Sequence, residues 1–161
     1  MNYILSITNQ IKKFAILIFV GLWLNPALAE EPVSSSYFGS VAIGKHDSTA
    51  YHKHGSAHKG SKSYRHEYKG AWWYFASAED RDLFAAEPEK YSPAYNGFCS
   101  NALSVGNGLV KTDGTVWHIY GTQLHLFYAQ KGLDRWQAND YDEMKADADA
   151  AWKVELSKLE N

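Results

Sequence analysis

The feature that most constrains the fold is a pair of short strands followed at once by a capped helix. Residues 64–68 alternate in polarity, residues 69–70 (Lys-Gly) suit a tight turn, and residues 71–76 return as an apolar second strand. Ser77 then stands at a helix N-cap position, acidic residues fill the first turn, and Pro88 limits the far end. The pattern predicts a β-hairpin followed by a helix over about residues 78–87.

A second hairpin is predicted over residues 116–120 and 124–128, after a short helix at residues 99–105. A final helix is predicted to begin at Asp140, and no internal repeat of fixed period stands out. The core-facing positions of this helix recur every four residues, at Met144, Ala148, Trp152 and Leu156. The sequence therefore predicts an α+β fold, with a small antiparallel sheet of hairpins, a short capped helix and a C-terminal amphipathic helix.

Residues 1–29 are expected to be a secretory signal peptide. Two lysines precede an apolar run of 11 residues, 14–24, and an Ala-Leu-Ala cleavage pattern follows. Eleven residues span only about 16 Å as a helix, roughly half of a bilayer core, which disfavours the alternative of an uncleaved anchor. We therefore expect an exported protein, periplasmic or extracellular, with no membrane segment after cleavage. A flexible segment over residues 30–40 and one domain over residues 41–161 should follow.

The mature chain is expected to be mildly acidic. Without Lys12 and Lys13, 14 basic and 18 acidic residues give a net charge of 14 − 18 = −4. A domain with this charge and no basic stripe is unsuited to a phosphate backbone, so nucleic acid is excluded as a partner. The remaining residues, about 132, suffice for one domain with a real core but not for a two-domain enzyme.

Residues 68–81, read with the Pro-Glu-Lys-Tyr sequence at residues 88–91, resemble the centre of the YHS-domain family. The likeness covers most of residues 41–152 and includes features of the exported branch of that family. The resemblance implies a small Cys-bearing unit of the kind that occurs in copper-transporting ATPases and other metal-handling proteins. This chain departs from their pattern, because Cys99 stands alone. The positions where those units carry a further Cys hold Phe75, Ala76, Ser77 and Asp80.

The candidate metal site consists of that cysteine and side chains from a His-rich segment. In the exported branch, the position of His46 is usually aromatic and that of His52 is often Phe. The resemblance implies that this segment folds over the central hairpin, which would bring both imidazoles near Cys99. A His2Cys set suits copper or zinc. The candidate ligands are Cys99, His46, His52, Asp47 and His54; the alternative is a solvated polar loop without a specific site.

Three local expectations concern histidines. Residues 49–52 are predicted to form a short strand among loops. His54 and His58 would share a face only on a helix, which the nearby glycines disfavour. His118 and His125 are predicted to face each other across the second hairpin, on the side opposite the core, where they would form a secondary metal or anion site.

The sequence favours a ligand-binding role, with a transition-metal ion as the ligand, over catalysis. Cys99 is the only cysteine, so no intrachain disulfide and no two-thiol redox cycle can form. Two alternatives stay open. One is a structural or interaction module without metal, whose aromatic surface docks a partner protein. The other is a thiol-dependent enzyme that uses Cys99 as its nucleophile.

Overall fold

The computed structural model describes residues 30–36 and 40–159. The predicted signal peptide, residues 1–29, lies outside these described residues. Within the described part of the chain, no helix is both long and apolar enough to cross a membrane.

The first half of the domain contains the predicted hairpin and capped helix. Strand β1 pairs antiparallel with β2, and the Ser77 hydroxyl accepts a hydrogen bond from the backbone N–H of Asp80 at 3.1 Å. Only one face of β2 is buried, because Trp73 and Phe75 point into the core while Trp72 is half-buried on the other face. The elements in order are a 3₁₀ turn (Ile43–Lys45), α1 (Ser48–His54), β1 (Ser61–Tyr68), β2 (Ala71–Phe75), α2 (Ala78–Ala86) and α3 (Pro88–Tyr91).

The predicted strand near residues 49–52 is wrong, because this segment is helix α1. The Asp47 carboxylate caps the helix by accepting hydrogen bonds from the backbone N–H groups of Thr49 and Ala50, at 2.9 and 3.3 Å. Gly55 ends it with a φ of 60°, in the left-handed region that favours glycine. Gly55, which was expected to disfavour a helix through His54 and His58, is the C-cap of α1, and the helix does not continue to His58.

The second half confirms the short helix, the hairpin and the final helix, and adds one helix that the sequence analysis missed. Asp140 caps the final helix by accepting from the backbone N–H of Glu143 at 3.0 Å. The missed helix is α5, which lacks a side-chain cap. The elements in order are a 3₁₀ turn (Ala94–Gly97), α4 (Ser100–Ser104), β3 (Val116–Tyr120), β4 (Gln123–Phe127), α5 (Gln130–Gln137) and α6 (Tyr141–Ser157).

These elements confirm the predicted α+β class. Across the described residues the four strands form two separate two-stranded antiparallel sheets, β1–β2 and β3–β4, rather than one continuous sheet. Each hairpin packs against helices, which supply the apolar surface that a lone hairpin lacks.

The two halves repeat one structural unit with a shift of 52 residues. We call residues 43–91 the first unit and residues 95–143 the second unit. Helices α1 and α4 begin at residues 48 and 100, and α2 and α5 begin at residues 78 and 130. Strands β2 and β4 occupy residues 71–75 and 123–127, which is the same shift. The sequence analysis found no repeat, because few side chains are identical at matched positions.

The same hydrogen bonds recur at matched positions. The backbone N–H of Asp47 donates to the carbonyl of His58, and that of Cys99 donates to the carbonyl of Val110, both at 2.8 Å. The side chains of Asp47 and Cys99 each accept a further bond from the N–H group 29 residues downstream, directly after β2 or β4. The repeat therefore extends to individual backbone bonds.

Both units also begin with the same unusual backbone. Residues 43–45 have φ values of 39°, 63° and 69°, and residues 95–97 have φ values of 55°, 49° and 86°. A run of left-handed residues is costly for L-amino acids. Its recurrence at matched positions shows that the chain enters both units along the same path.

Each unit has its own core, and the second hairpin lies between the two cores. Phe84 of α2 and Trp136 of α5 occupy matched positions, and both are fully buried. Leu124 and Leu126 of β4 pack into the first core, whereas Phe127 packs into the second. The second hairpin is therefore covered on both faces, which is why β4 does not alternate between apolar and polar residues.

Part of the predicted flexible lead-in packs against the domain. The backbone N–H of Ser34 donates to the carbonyl of Asn96 at 3.0 Å. The Ser34 hydroxyl is buried and accepts from the backbone N–H of Thr112 at 2.9 Å. These bonds attach residues 30–36 to the start of the second unit.

Candidate functional site

Cys99 is the N-cap residue of α4 and lies against the second core. Its sulfur accepts hydrogen bonds from the backbone N–H groups of Ala102 at 3.4 Å and Tyr128 at 3.3 Å. The residue is 3% exposed and its thiol is free. Its sulfur is thus occupied by two backbone donors rather than by imidazole nitrogens.

His46 lies in the first unit, where its ring is fixed by the backbone. Its Nδ1 atom is 2.7 Å from the carbonyl oxygen of Asp113, so Nδ1 carries the hydrogen and donates it. Burial, followed by the positive charge of Lys59, lowers the pKa of His46. The side chain closes the end of the first unit against the segment before β3.

Asp47 also has a structural role. One carboxylate oxygen accepts from the Thr49 hydroxyl at 2.7 Å and from the helix N–H groups described above, and the other accepts from the N–H of Ala76 at 2.8 Å. The carboxylate thereby joins the start of α1 to the end of β2. A metal at this position would have to displace bonds that hold the unit together.

His52 is half-buried, and its ring meets that of Tyr91 edge to face with 5.5 Å between centroids. Its Nε2 atom is buried and has no hydrogen-bond partner among the described residues. Burial, with a smaller contribution from the charge of Lys90, lowers the pKa of this imidazole. His52 belongs to no group of three or more ligating side chains among the described residues.

The predicted five-residue metal set is not assembled. Among residues 30–36 and 40–159, no three His, Cys, Asp or Glu side chains form a group that could hold a metal ion. The His-rich segment does pack on the first hairpin, since Tyr51 joins its core and Asp47 accepts from the N–H of Ala76. The metal set still does not form, because Asp47 is the cap of α1 and Cys99 belongs to the other unit.

One histidine pair does form, at the C-terminal end of α1. The rings of His54 and His58 stack with 5.2 Å between centroids and 15° between planes, and both residues are exposed. The Ser56 hydroxyl lies 3.0 Å from Nε2 of His58. His58 was not among the predicted ligands. The spacing of four residues was the available signal, and the turn at Gly55, rather than a continuous helix, brings the rings together.

His118 and His125 are directly opposite in the β3–β4 register, as predicted. The expected side is wrong for His125, which is fully buried because the second core covers that face of the hairpin. Its Nδ1 atom lies 3.0 Å from the Ser100 hydroxyl and its Nε2 atom 3.4 Å from the Tyr141 hydroxyl. Burial lowers the pKa of His125 to about 4. Both of its nitrogens are thus engaged within the protein.

A cleft of about 370 Å³ opens beside Cys99, between α4 and α5. Its walls include Ala102, Val110 and Ala129, and Lys131 and Arg135 of α5 also line it. A volume of this order is typical of small-molecule sites. Nothing in the sequence analysis pointed to this cleft, since its residues come from four separate segments.

A second groove lies on the exposed face of the first hairpin. Arg65 stacks over the ring of Trp72 with 4.3 Å to the centroid, and Lys45 and Lys62 complete the same groove. The two adjacent tryptophans point to opposite faces, with Trp73 in the core and Trp72 in this groove.

The family model of the YHS domain matches residues 50–95. The match runs from within α1 to the start of the second unit and so covers most of the first unit. It confirms the resemblance for these residues. No curated protein and no solved structure matches the chain.

Proposed function

From a chain whose residues 50–95 form a YHS domain, we propose an exported protein that binds a transition-metal ion, copper or zinc, through His54 and His58. The observation that carries the proposal is the stacked pair of exposed imidazoles, both inside the matched segment. Copper and zinc prefer nitrogen ligands of this kind over the oxygen ligands that magnesium and calcium require.

A site with two protein ligands leaves coordination positions open. Structural zinc sites are closed by four protein ligands, whereas open positions accept water, a small molecule or a side chain of another protein. The geometry therefore fits a metal that is taken up and passed on, rather than one that stabilises the fold. Copper(II) should bind more tightly than zinc(II), following the general order of affinities for divalent metals.

The test is a titration of the purified protein with copper(II) and zinc(II), followed by calorimetry. Replacement of both imidazoles (His54→Ala with His58→Ala) should reduce copper affinity at least tenfold. His66→Ala is the matched control, because His66 lies on β1 away from the pair, and it should leave the affinity unchanged. Electron paramagnetic resonance of bound copper(II) should show two imidazole nitrogens.

The same experiment separates this pair from the set predicted from sequence. Cys99→Ala should leave the affinity for copper(I), copper(II) and zinc(II) unchanged. If Cys99→Ala weakens binding and the double His variant does not, the metal is held by the thiolate and the His54–His58 proposal is wrong.

A second function, docking of a partner protein, is favoured by the groove around Trp72. Three cations line it, and none of the described residues lining it is acidic. The chemistry suits an acidic segment of the partner. A poly-glutamate peptide should bind the protein with an affinity that falls as salt rises. Arg65→Ala with Lys62→Ala should remove this binding, and salt-independent or unchanged binding would reject the groove as the site.

A further inference from the structure

The two units differ in the side chains that lie between their first two helices, α1 and α2 in the first unit and α4 and α5 in the second. In the first unit, the ammonium of Lys53 on α1 donates to Asp80 at 2.6 Å and to Glu79 at 3.1 Å, both on α2. This ion pair spans the gap between α1 and α2.

The second unit has nothing equivalent. At the matched positions, Val105 replaces the bridging lysine. Lys131 and Gly132 replace the two acidic residues. Gly132 packs directly on Asn101, whose Cβ would lie only 3.1 Å from a Cβ placed at residue 132. The gap left between α4 and α5 is the 370 Å³ cleft.

Asn101 lines this cleft, and its side chain holds an unused hydrogen-bond acceptor. The Oδ1 atom of Asn101 is buried and has no partner among the described residues. At the matched position of the first unit, the Thr49 hydroxyl donates to Asp47. A buried acceptor without a donor is unfavourable. With the Asn101 amide turned toward the cleft, a ligand that brings an N–H or O–H group supplies the missing donor.

The rim of the cleft is positive. Lys131 and Arg135 lie four residues apart on α5, so they project from the same face of that helix. Neither forms an ion pair with a carboxylate of the described residues, although the chain as a whole is acidic. None of the described residues lining the cleft carries a negative charge. The two cations are free to bind an anion.

We propose that the second unit binds a small organic acid in this cleft. The apolar body of the ligand lies against Ala102, Val110 and Ala129, its hydrogen-bond donor reaches Asn101, and its carboxylate lies between Lys131 and Arg135. The sulfur of Cys99 forms part of the wall and takes no covalent part. This site is independent of the His54–His58 pair, which belongs to the first unit.

The test uses indole-3-acetate and 4-hydroxyphenylacetate, which combine a flat apolar body, a donor and a carboxylate. Binding to the purified protein is measured by calorimetry and by chemical-shift changes, with the neutral indole-3-acetamide as the ligand control. At least one acid should bind saturably with a dissociation constant below about 1 mM. The amide should bind at least tenfold more weakly than the indole acid.

Variants locate the site. Lys131→Glu, which installs the first-unit residue, combined with Arg135→Ala should lower the affinity for the acid at least tenfold. Asp134→Ala, at an exposed position of the same helix, is the matched control and should not weaken binding. His54→Ala with His58→Ala should not change it either, so failure of the metal site leaves this result intact. The proposal is overturned if neither acid binds, or if the Lys131/Arg135 variant binds as tightly as the wild type.

Discussion

The two units share a backbone but use it differently. In the first unit, the hairpin buries one face, a carboxylate caps the first helix, and an ion pair spans the gap between helices. In the second unit, the hairpin is buried on both faces, a thiol occupies the cap position, and the gap between helices is open. In both units the frame is held by backbone bonds and matched core positions, while the cap side chain and the contacts between the helices differ.

The largest expected effect concerns the shared core position. Phe84→Ala and Trp136→Ala each remove a fully buried aromatic side chain at matched positions and should each lower the free energy of unfolding by about 3–5 kcal/mol. Urea denaturation followed by tryptophan fluorescence and circular dichroism measures both. If only one of the two substitutions destabilises the protein, the matched positions are not equivalent in energy.

The caps should differ in strength. Asp47→Ala removes a charged acceptor that serves three backbone N–H groups and should cost about 3 kcal/mol of unfolding free energy, because bonds to charged groups are the stronger ones. Cys99→Ala removes a weak sulfur acceptor and should cost about 1 kcal/mol. Equal losses in chemical denaturation would show that the sulfur is as strong a cap as the carboxylate.

Acid should destabilise the second unit by protonating His125, which occupies the position matched to Trp73 of the first unit. Burial, then the charge of Lys145, keeps the pKa of His125 at about 4, despite the opposing charge of Asp149. The unfolded chain takes up this proton near pH 6.5. Between pH 6.5 and 4 the unfolded state binds more protons, so stability falls as the pH falls, by about 3 kcal/mol at most.

The measurement is the free energy of unfolding at several pH values between 4 and 7. His125→Gln, which keeps hydrogen-bonding capacity without titrating, should flatten the dependence. His52→Gln in the first unit is the control and should have a smaller effect, since burial also lowers the pKa of His52 but leaves it partly exposed. An unchanged pH profile in His125→Gln would place the acid sensitivity elsewhere.

The smallest effect is expected for the bridge of the first unit. Burial raises the pKa of Asp80, but hydrogen bonds from Lys53 and Ser77 outweigh it and hold that pKa below its ordinary value. Lys53→Met should therefore lower the melting temperature slightly, more at low salt than at high salt. A melting temperature that Lys53→Met leaves unchanged at low salt would show that the ion pair does not stabilise the contact between α1 and α2.

Local signals predicted those parts of the fold that depend on a few neighbouring residues. The hairpins, the Ser77 cap and the final helix follow from polarity patterns and capping residues, and the structure contains all of them. The strand expected at residues 49–52 was wrong, because this segment is a helix with Asp47 as its N-cap and Gly55 as its C-cap. For α5, no side-chain cap marks the start, so no comparable local signal predicts this helix.

The predicted metal set depended on contacts between distant segments, which local patterns do not predict. Residue types suggested that Cys99 and the histidines suit the same metal, but ligation depends on where distant segments meet. The chain places Cys99 and His46 in different units and fixes both through backbone bonds. The His54–His58 pair depended on a single turn, and the cleft beside Cys99 lies where residues 99–110 meet residues 128–135.

By itself, the sequence determined the two hairpins, the helix capped by Ser77, the final helix and the resemblance of residues 50–95 to the YHS domain. Strand alternation, helix caps and a contiguous motif each act over a few residues at a time. Only the tertiary structure decided that the chain repeats one unit, that His125 is buried and that the second unit has an open cleft. Backbone hydrogen bonds can recur with almost any side chains, and the burial of a residue depends on which distant residues pack on it. Neither property therefore produces a contiguous pattern in the sequence.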